Sequence, residues 1–301
     1  MIYKNLLETI GNTPIIQLKK YPNIYVKLEN CNPGGSIKDR AALGMIESAE
    51  KKNILKAGMH IIEPSSGNTG IAIAMICKLK GYEATIVMPD NMSIERQSII
   101  KGYGANLVLT EASKGMKGSI EYTEDIAKNN SDYVLLQQFK NISNSLIHYN
   151  TTAKEIIKDL PDIDIFIAGV GTGGTIAGVG KRLKEYNSNI KIIAIEPYES
   201  SVLNGGKPGL HMIQGIGAGF IPDILDVNIL DQVVTLKGEE VINFGRDFYK
   251  TEGLFLGISS MANILGAIKL KSDKKILTIA PDGGEKYLST DLYIHEEENH
   301  E

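Results

Sequence analysis

A chain of 301 residues, 43% hydrophobic and 23% charged, has material for two compact lobes or one large α/β domain. Its net charge of -4, without a long basic run, argues against nucleic acid as the main partner, because phosphate neutralisation needs clustered Lys and Arg. Cys31 and Cys77 form no disulfide framework or paired metal spacing, the histidines are scattered, and no apolar run is long enough to span a bilayer, so the expectation is a metal-free cytoplasmic protein.

In chain order the pattern predicts strands at 24–28, 60–63, 84–88, 106–109, 133–136, 163–168, 192–195 and 275–279. Helices are predicted between and after them, at 38–51, 69–80, 93–103, 117–128, 147–158, 172–186, 239–252 and 260–270. Within 69–80, Ile71, Ala72, Met75, Ile76 and Leu79 recur at helical spacing. Ser93 is placed to cap the third helix with its hydroxyl. Strands that alternate with helices imply mostly parallel sheets with helices on both faces. No repeat is visible. A polar segment at 140–144 separates two α/β blocks, 200–219 is a long glycine-rich loop, and the acidic tail 294–301 reads as solvated and flexible.

Three small-residue turns fall between a predicted strand and a predicted helix, where open α/β sheets place ligands. The run Gly169-Val170-Gly171-Thr172-Gly173-Gly174-Thr175 combines a glycine turn, two hydroxyls and a helix N-terminus, a cradle for a phosphate-sized dianion. A tight turn without a ligand is the alternative. Gly169, Gly171 and Gly174 also satisfy G-x-G-x-x-G, with Glu196 ending the next strand, so this turn alone leaves a nicotinamide dinucleotide open.

The turn Glu63-Pro64-Ser65-Ser66-Gly67-Asn68-Thr69-Gly70 presents hydroxyls and an amide at a helix start, suited to a carboxylate or phenolate oxygen. Simple capping by Ser66 or Asn68 explains it equally well. In Asn32-Pro33-Gly34-Gly35-Ser36-Ile37-Lys38, Ser36 can cap the helix that Lys38 opens. The positive end of the helix dipole lowers the lysine amine's pKa, which helps an amine that must attack a carbonyl. An ordinary surface lysine is the competing reading.

These motifs do not stand alone. Leu7-Glu8-Thr9-Ile10-Gly11-Asn12-Thr13-Pro14, Met88-Pro89, Met92-Ser93, Gly115-Met116-Lys117-Gly118, Gln138-Phe139, Gly205-Gly206-Lys207-Pro208-Gly209, Gln214-Gly215-Ile216-Gly217-Ala218-Gly219-Phe220, Gly257-Ile258-Ser259-Ser260 and Glu285-Lys286-Tyr287-Leu288-Ser289-Thr290 follow in order. Across nearly its whole length the chain resembles the cysteine synthase (O-acetylserine sulfhydrylase) and cystathionine β-synthase family. The resemblance implies an α/β, two-lobed tryptophan-synthase-β-like fold, the second fold type of pyridoxal 5'-phosphate (PLP) enzymes. Residues 35–145 would form the smaller lobe, and 1–34 with 146–301 the larger. Lys38 would carry the cofactor as a Schiff base and move protons at the substrate Cα. Asn68 would meet the cofactor's 3'-oxygen, while Gly171, Thr172, Gly173, Gly174 and Thr175 would hold its phosphate. The substrate carboxylate would fall to Ser65, Ser66, Thr69 and Gln138, and Gly215, Ala218 and Gly219 would line the cleft opposite.

The implied reaction is a β-replacement through an α-aminoacrylate, O-acetyl-L-serine plus sulfide giving L-cysteine plus acetate. Small residues at Ala218-Gly219 favour that donor. The runner-up takes L-cysteine as donor, releasing hydrogen sulfide and forming lanthionine or another thioether. A third reading is a non-catalytic PLP-binding regulatory paralogue. A homodimer is implied, as is binding of the serine acetyltransferase C-terminal peptide in the cleft. Departures from the family pattern are Ser65 for Thr, Met261 for Gly, Ile142 for Pro, Ala153 for Gly, and Gly283 where a Ser or Thr is expected to meet the cofactor's ring nitrogen.

Overall fold

The computed structural model describes residues 2–293. The acidic tail 294–301 lies outside the described residues. In chain order the elements are β1 (Ile15–Gln17), β2 (Ile24–Leu28), α1 (Lys38–Lys51), β3 (His60–Pro64), α2 (Asn68–Lys80), β4 (Glu83–Pro89), α3 (Ile94–Gly102), β5 (Asn106–Thr110), α4 (Gly115–Asn129) and β6 (Tyr133–Leu135). They continue with α5 (Ser143–Asn150), α6 (Thr152–Asp159), β7 (Ile165–Gly169), α7 (Gly174–Tyr186), β8 (Lys191–Pro197), β9 (Gln232–Leu236), α8 (Gly238–Glu252), α9 (Ile258–Lys269) and β10 (Ile276–Ala280).

The strands form two sheets. One has the order β5-β4-β3-β6 and is wholly parallel. The other has the order β1-β2-β10-β7-β8-β9, parallel except for the antiparallel edge pair β1–β2. Continuous apolar runs make this possible, because a strand buried on both faces needs no polar alternation. Along β7, Ile165 and Ile167 enter the core beneath α8 and α9, while Phe166 and Ala168 enter the core beneath α6 and α7. A third core joins α1 and α2 to the four-stranded sheet. At roughly 25 cal/mol per Å2 of apolar surface, such double-sided burial is the main term holding each sheet to its helices.

Three features depart from the sequence reading. Strands β1 and β9 were not anticipated: the first has only three residues after Pro14, and the second is an edge strand with little deep burial. The helix expected at 147–158 is two helices broken at Thr151, whose backbone leaves the helical region and whose hydroxyl turns back to the Ile147 carbonyl at 2.7 Å. Ser93 occupies the cap position of α3, but its hydroxyl donates to the Lys286 carbonyl at 3.2 Å and makes no cap bond.

Both sheets place their topological switch at the same cleft. In the smaller sheet the order reverses between β3 and β6, and in the larger one between β7 and β10. A crevice opens outside the carboxyl ends of strands at such points, because successive crossovers leave on opposite sides.

Candidate active site

Strand ends deliver the predicted residues to one cavity of about 300 Å3. The segment after β2 brings Lys38; the turn after β3 brings Ser65, Ser66, Asn68 and Thr69; Gln138 follows β6. Gly171, Thr172, Gly173, Gly174 and Thr175 follow β7, and Gly215 and Ala218 come from the long loop after β8. Gly219 and Gly283 are not among the lining residues. Gly219 turns at φ +83° against Pro208, and Gly283 is drawn into a bridge with Leu256. Ser259, in the first turn of α9, lines the cavity together with Pro281.

Lys38 is the first residue of α1; Ile37 takes the cap position without a side-chain cap bond, and the expected Ser36 stands one residue earlier, its hydroxyl accepting the Lys38 N–H at 3.2 Å. Its loop is fixed to the end of β10 by the Ile37 N–H on the Pro281 carbonyl at 2.8 Å and by a Ser36–Asp282 bridge. Burial pushes the lysine amine down from 10.5 to about 8, against the opposing pull of Asp282. An amine so depressed is largely neutral at mildly alkaline pH and nucleophilic.

Opposite it, the β7–α7 turn is shaped by close packing. A Cβ on Gly171 would stand 2.5 Å from the Gly215 carbonyl oxygen, and one on Gly174 2.1 Å from Asn144 Oδ1. Gly173 adopts φ +80°, a conformation that costs glycine little. The first N–H groups of α7 have no intrahelical acceptors and carry the positive end of the helix dipole. Behind the turn, His148 is buried, with Nδ1 3.0 Å from the Thr152 hydroxyl and Nε2 3.5 Å from that of Thr175. Burial, then Arg40 and Lys38, hold this imidazole well below 6.5, so it is neutral.

The β3–α2 turn is locked by Ser65, whose hydroxyl accepts from the N–H groups of Gly67 at 3.2 Å and Gly70 at 2.9 Å. The capping bonds thus belong to Ser65, while Ser66 is exposed at the cavity. Thr69 donates to Gln138 Oε1 at 2.7 Å, and Gln138 Nε2 donates to the Pro64 carbonyl at 3.0 Å. Beneath them the fully buried Glu63 accepts the N–H groups of Leu136, Gln137 and Gln138, each at 3.0 Å. One carboxylate therefore joins the ends of β3 and β6. Arg96 closes the wall: Nη1 donates to Gln214 Oε1 at 2.5 Å, its guanidinium lies 4.6 Å above the Tyr287 ring centroid, and Gly67 leaves room for its stem.

Sequence reasoning missed Glu63, Arg96, Asn144, His148, Ser259 and Asp282. Glu63, an acid inside an otherwise apolar strand, carried a readable signal. Ser259 stood in a quoted motif without a role.

The residues present suit a phosphorylated aldehyde. The buried amine faces a cradle of N–H groups at a helix start, in which Gly171 and Gly174 leave no room for a Cβ. Fold and site together define a two-lobed α/β enzyme with a buried lysine amine facing a glycine-rich turn, and the dinucleotide reading of that turn gives way. The chain belongs to the pyridoxal-phosphate dependent enzyme family, whose model matches residues 6–282. It is 47% identical over 300 residues to a cysteine synthase of Staphylococcus aureus strain Mu50, covering 96% of each chain. Among solved structures, a cysteine synthase of Entamoeba histolytica superposes with a TM-score of 0.93 at 44% identity, over 99% of this chain and 93% of that one. A hydrogen sulfide-producing enzyme of Fusobacterium nucleatum gives a TM-score of 0.92 at 42% identity, over 95% and 100%.

Proposed function

We propose that this enzyme joins O-acetyl-L-serine and sulfide to give L-cysteine and acetate. The Cβ–O bond of the donor breaks, a Cβ–S bond forms, and acetate leaves. The observation that carries the reading is the Lys38 amine, buried at the switch points of both sheets and facing the Gly171–Thr175 cradle, in a chain whose relatives are cysteine synthases. Small residues at Gly215, Gly217 and Ala218 leave room for an acetyl group.

PLP, when bound, supplies the conjugated electron sink that lets the Cα proton and the β-substituent leave. The protein's own groups do the rest. Lys38 carries the cofactor, then removes the Cα proton and returns it to the product. Gly171, Thr172, Gly173, Gly174 and Thr175 hold the phosphate, and Asn68 meets the 3'-oxygen. Ser259, which lines the cavity where Gly283 does not, would meet the ring nitrogen. Ser65, Ser66, Thr69 and Gln138 hold the substrate carboxylate, with Glu63 keeping Gln138 in place. Met92, Met116, Ile120, Phe139 and Phe220 give the cavity an apolar side that excludes water.

Residues 35–145 act as the smaller lobe, and 1–34 with 146–301 as the larger. The active form is a homodimer in the cytoplasm; among the described residues no helix is long and apolar enough to cross a membrane. A serine acetyltransferase C-terminal peptide competes with the donor for the cleft. The runner-up, cysteine as donor with release of hydrogen sulfide, draws on the Fusobacterium relative's named activity.

The test supplies O-acetylserine and cysteine side by side to the PLP-loaded protein and quantifies cysteine, lanthionine and sulfide. Faster cysteine formation from O-acetylserine supports the reading, and a preference for cysteine as donor replaces it with the runner-up. Borohydride reduction and peptide mapping place the pyridoxyl label on Lys38; a label elsewhere refutes the assignment.

A further inference from the structure

Two residues beyond the end of β10, Asp282 buries its carboxyl group completely. An acid is kept in such a place only where partners compensate its desolvation. Oδ2 accepts two hydrogen bonds, from Asn68 Nδ2 at 2.7 Å and from the Tyr287 hydroxyl at 2.6 Å. Oδ1 has no partner, and it occupies space that a side chain at Gly257 would take, since a Cβ there would stand 2.2 Å away. The backbone of Asp282 cannot swing aside. It bridges Ser36, and its carbonyl accepts the Gly257 N–H and the Ser260 hydroxyl, both at 3.1 Å.

The bond to Asn68 has consequences at the cavity. Asn68 opens α2 and belongs to the smaller sheet's turn, whereas Asp282 belongs to the larger sheet. An amide facing a carboxylate must turn its NH2 toward it, because two oxygens would repel. One amide hydrogen is thereby committed and the other is left for an oxygen in the cavity. The same acid stands close enough to Lys38 to favour the charged amine, in opposition to burial. Around Asp282 the other titratable groups are Tyr287 and Tyr293 from the C-terminal segment, Lys286 beside them, and Arg96 of α3 over the Tyr287 ring.

We propose that Asp282 is a positioning residue of this site: its carboxyl group fixes the orientation of the Asn68 amide across the two sheets. This deepens the reading of Lys38 as the cofactor-bearing amine and rests on it. Asp282→Asn is nearly isosteric but can turn either an oxygen or an NH2 toward Asn68, so the Asn68 orientation is no longer fixed, with little change in packing.

The test uses the full chain, with and without PLP. In the cofactor-free protein, acylation of Lys38 by acetic anhydride is followed against pH by peptide mass spectrometry. Asp282→Asn is expected to lower the Lys38 midpoint by about one pH unit or more. In the loaded enzyme it is expected to lower kcat about tenfold or more, as an off-geometry cofactor contact would. Tyr287→Phe keeps both the charge and the Asn68 bond, so its Lys38 midpoint stays below that of a free lysine but above that of Asp282→Asn. A folded Asp282→Asn protein with native midpoint and native kcat overturns the proposal. If that variant fails to fold, Asp282→Ser, which retains an acceptor without charge, is read in the same way. Borohydride labelling separates the two claims: loss of the label at Lys38 sinks the proposed function, whereas a correct label with a native midpoint and native kcat sinks only the role of Asp282.

Discussion

Gly171→Ala tests the phosphate cradle, because the obstacle its methyl group meets is main chain. The new Cβ would lie 2.5 Å from the Gly215 carbonyl oxygen, and neither partner can rotate away. The two loops are also tied, with the Gly217 N–H on the Val170 carbonyl at 2.9 Å and the Val170 N–H on the Ile195 carbonyl at 3.0 Å. In the free protein the loops part by several tenths of an ångström, at a cost typical of overpacking, about 1–3 kcal/mol. Phosphate binding must pull the displaced N–H groups back, so much of that cost reappears as lost affinity. With about 2 kcal/mol transferred, the Kd for PLP rises roughly 30-fold. The assay is a titration of cofactor-free protein with PLP, followed by absorbance, with thermal unfolding of the same sample. Gly102→Ala, at the end of α3 where a methyl group meets nothing within 4 Å, serves as the control and is expected to leave Kd unchanged. A folded Gly171→Ala protein that binds PLP within about twofold of native refutes the steric reasoning.

Other perturbations probe the charges around the site. Reaction of the cofactor-free protein with an aldehyde should accelerate as pH rises through about 8, the value to which burial depresses Lys38. Since the unfolded chain holds that proton up to 10.5, the same group makes stability increase between pH 8 and 10.5, measurable by urea titration at each pH. Arg40→Ala strands the buried Glu29, which it contacts at 2.8 and 2.9 Å, and should cost about 3–5 kcal/mol in urea unfolding. Burial raises the Glu155 carboxyl, but Arg40 and Lys27 outweigh it and hold the group down at about 2, so its contribution is present above 4.5 and lost as pH falls toward 2. Glu155→Gln should accordingly flatten acid denaturation in that window, as read by circular dichroism. Glu63→Gln leaves some of three backbone N–H groups without an acceptor, which predicts about 1–3 kcal/mol of destabilisation and a raised donor KM as Gln138 shifts.

Much of this architecture was readable from local pattern. Parallel strands buried on both faces announce themselves as apolar runs, and turns that must admit main chain or an anion announce themselves as glycines; Ile165–Gly169 and Gly171–Thr175 are examples. What escaped has a common cause. The Asn68–Asp282 bond joins residues 214 positions apart, and Arg96 meets Gln214 across 118, so neither pairing leaves a trace in any window of sequence. Ser259, which lines the cavity where Gly283 does not, comes from a different element, so its place beside Pro281 could not be read from the segment around position 283. The break at Thr151 escaped because helical periodicity continues across it while the backbone does not.

Strand β2 lies between β1 and β10, so residue 24 has its parallel neighbour only once residue 276 is available. The four-stranded sheet needs nothing beyond β6 to be complete. During synthesis on a ribosome, the smaller sheet can therefore settle early, while the segment bearing Lys38 waits with an open edge until nearly the last strand emerges. A chain truncated before β10 would retain its reactive lysine but never acquire the wall that holds it. The wall that Pro281 contributes beside Lys38 is thus among the last parts of the molecule to be completed.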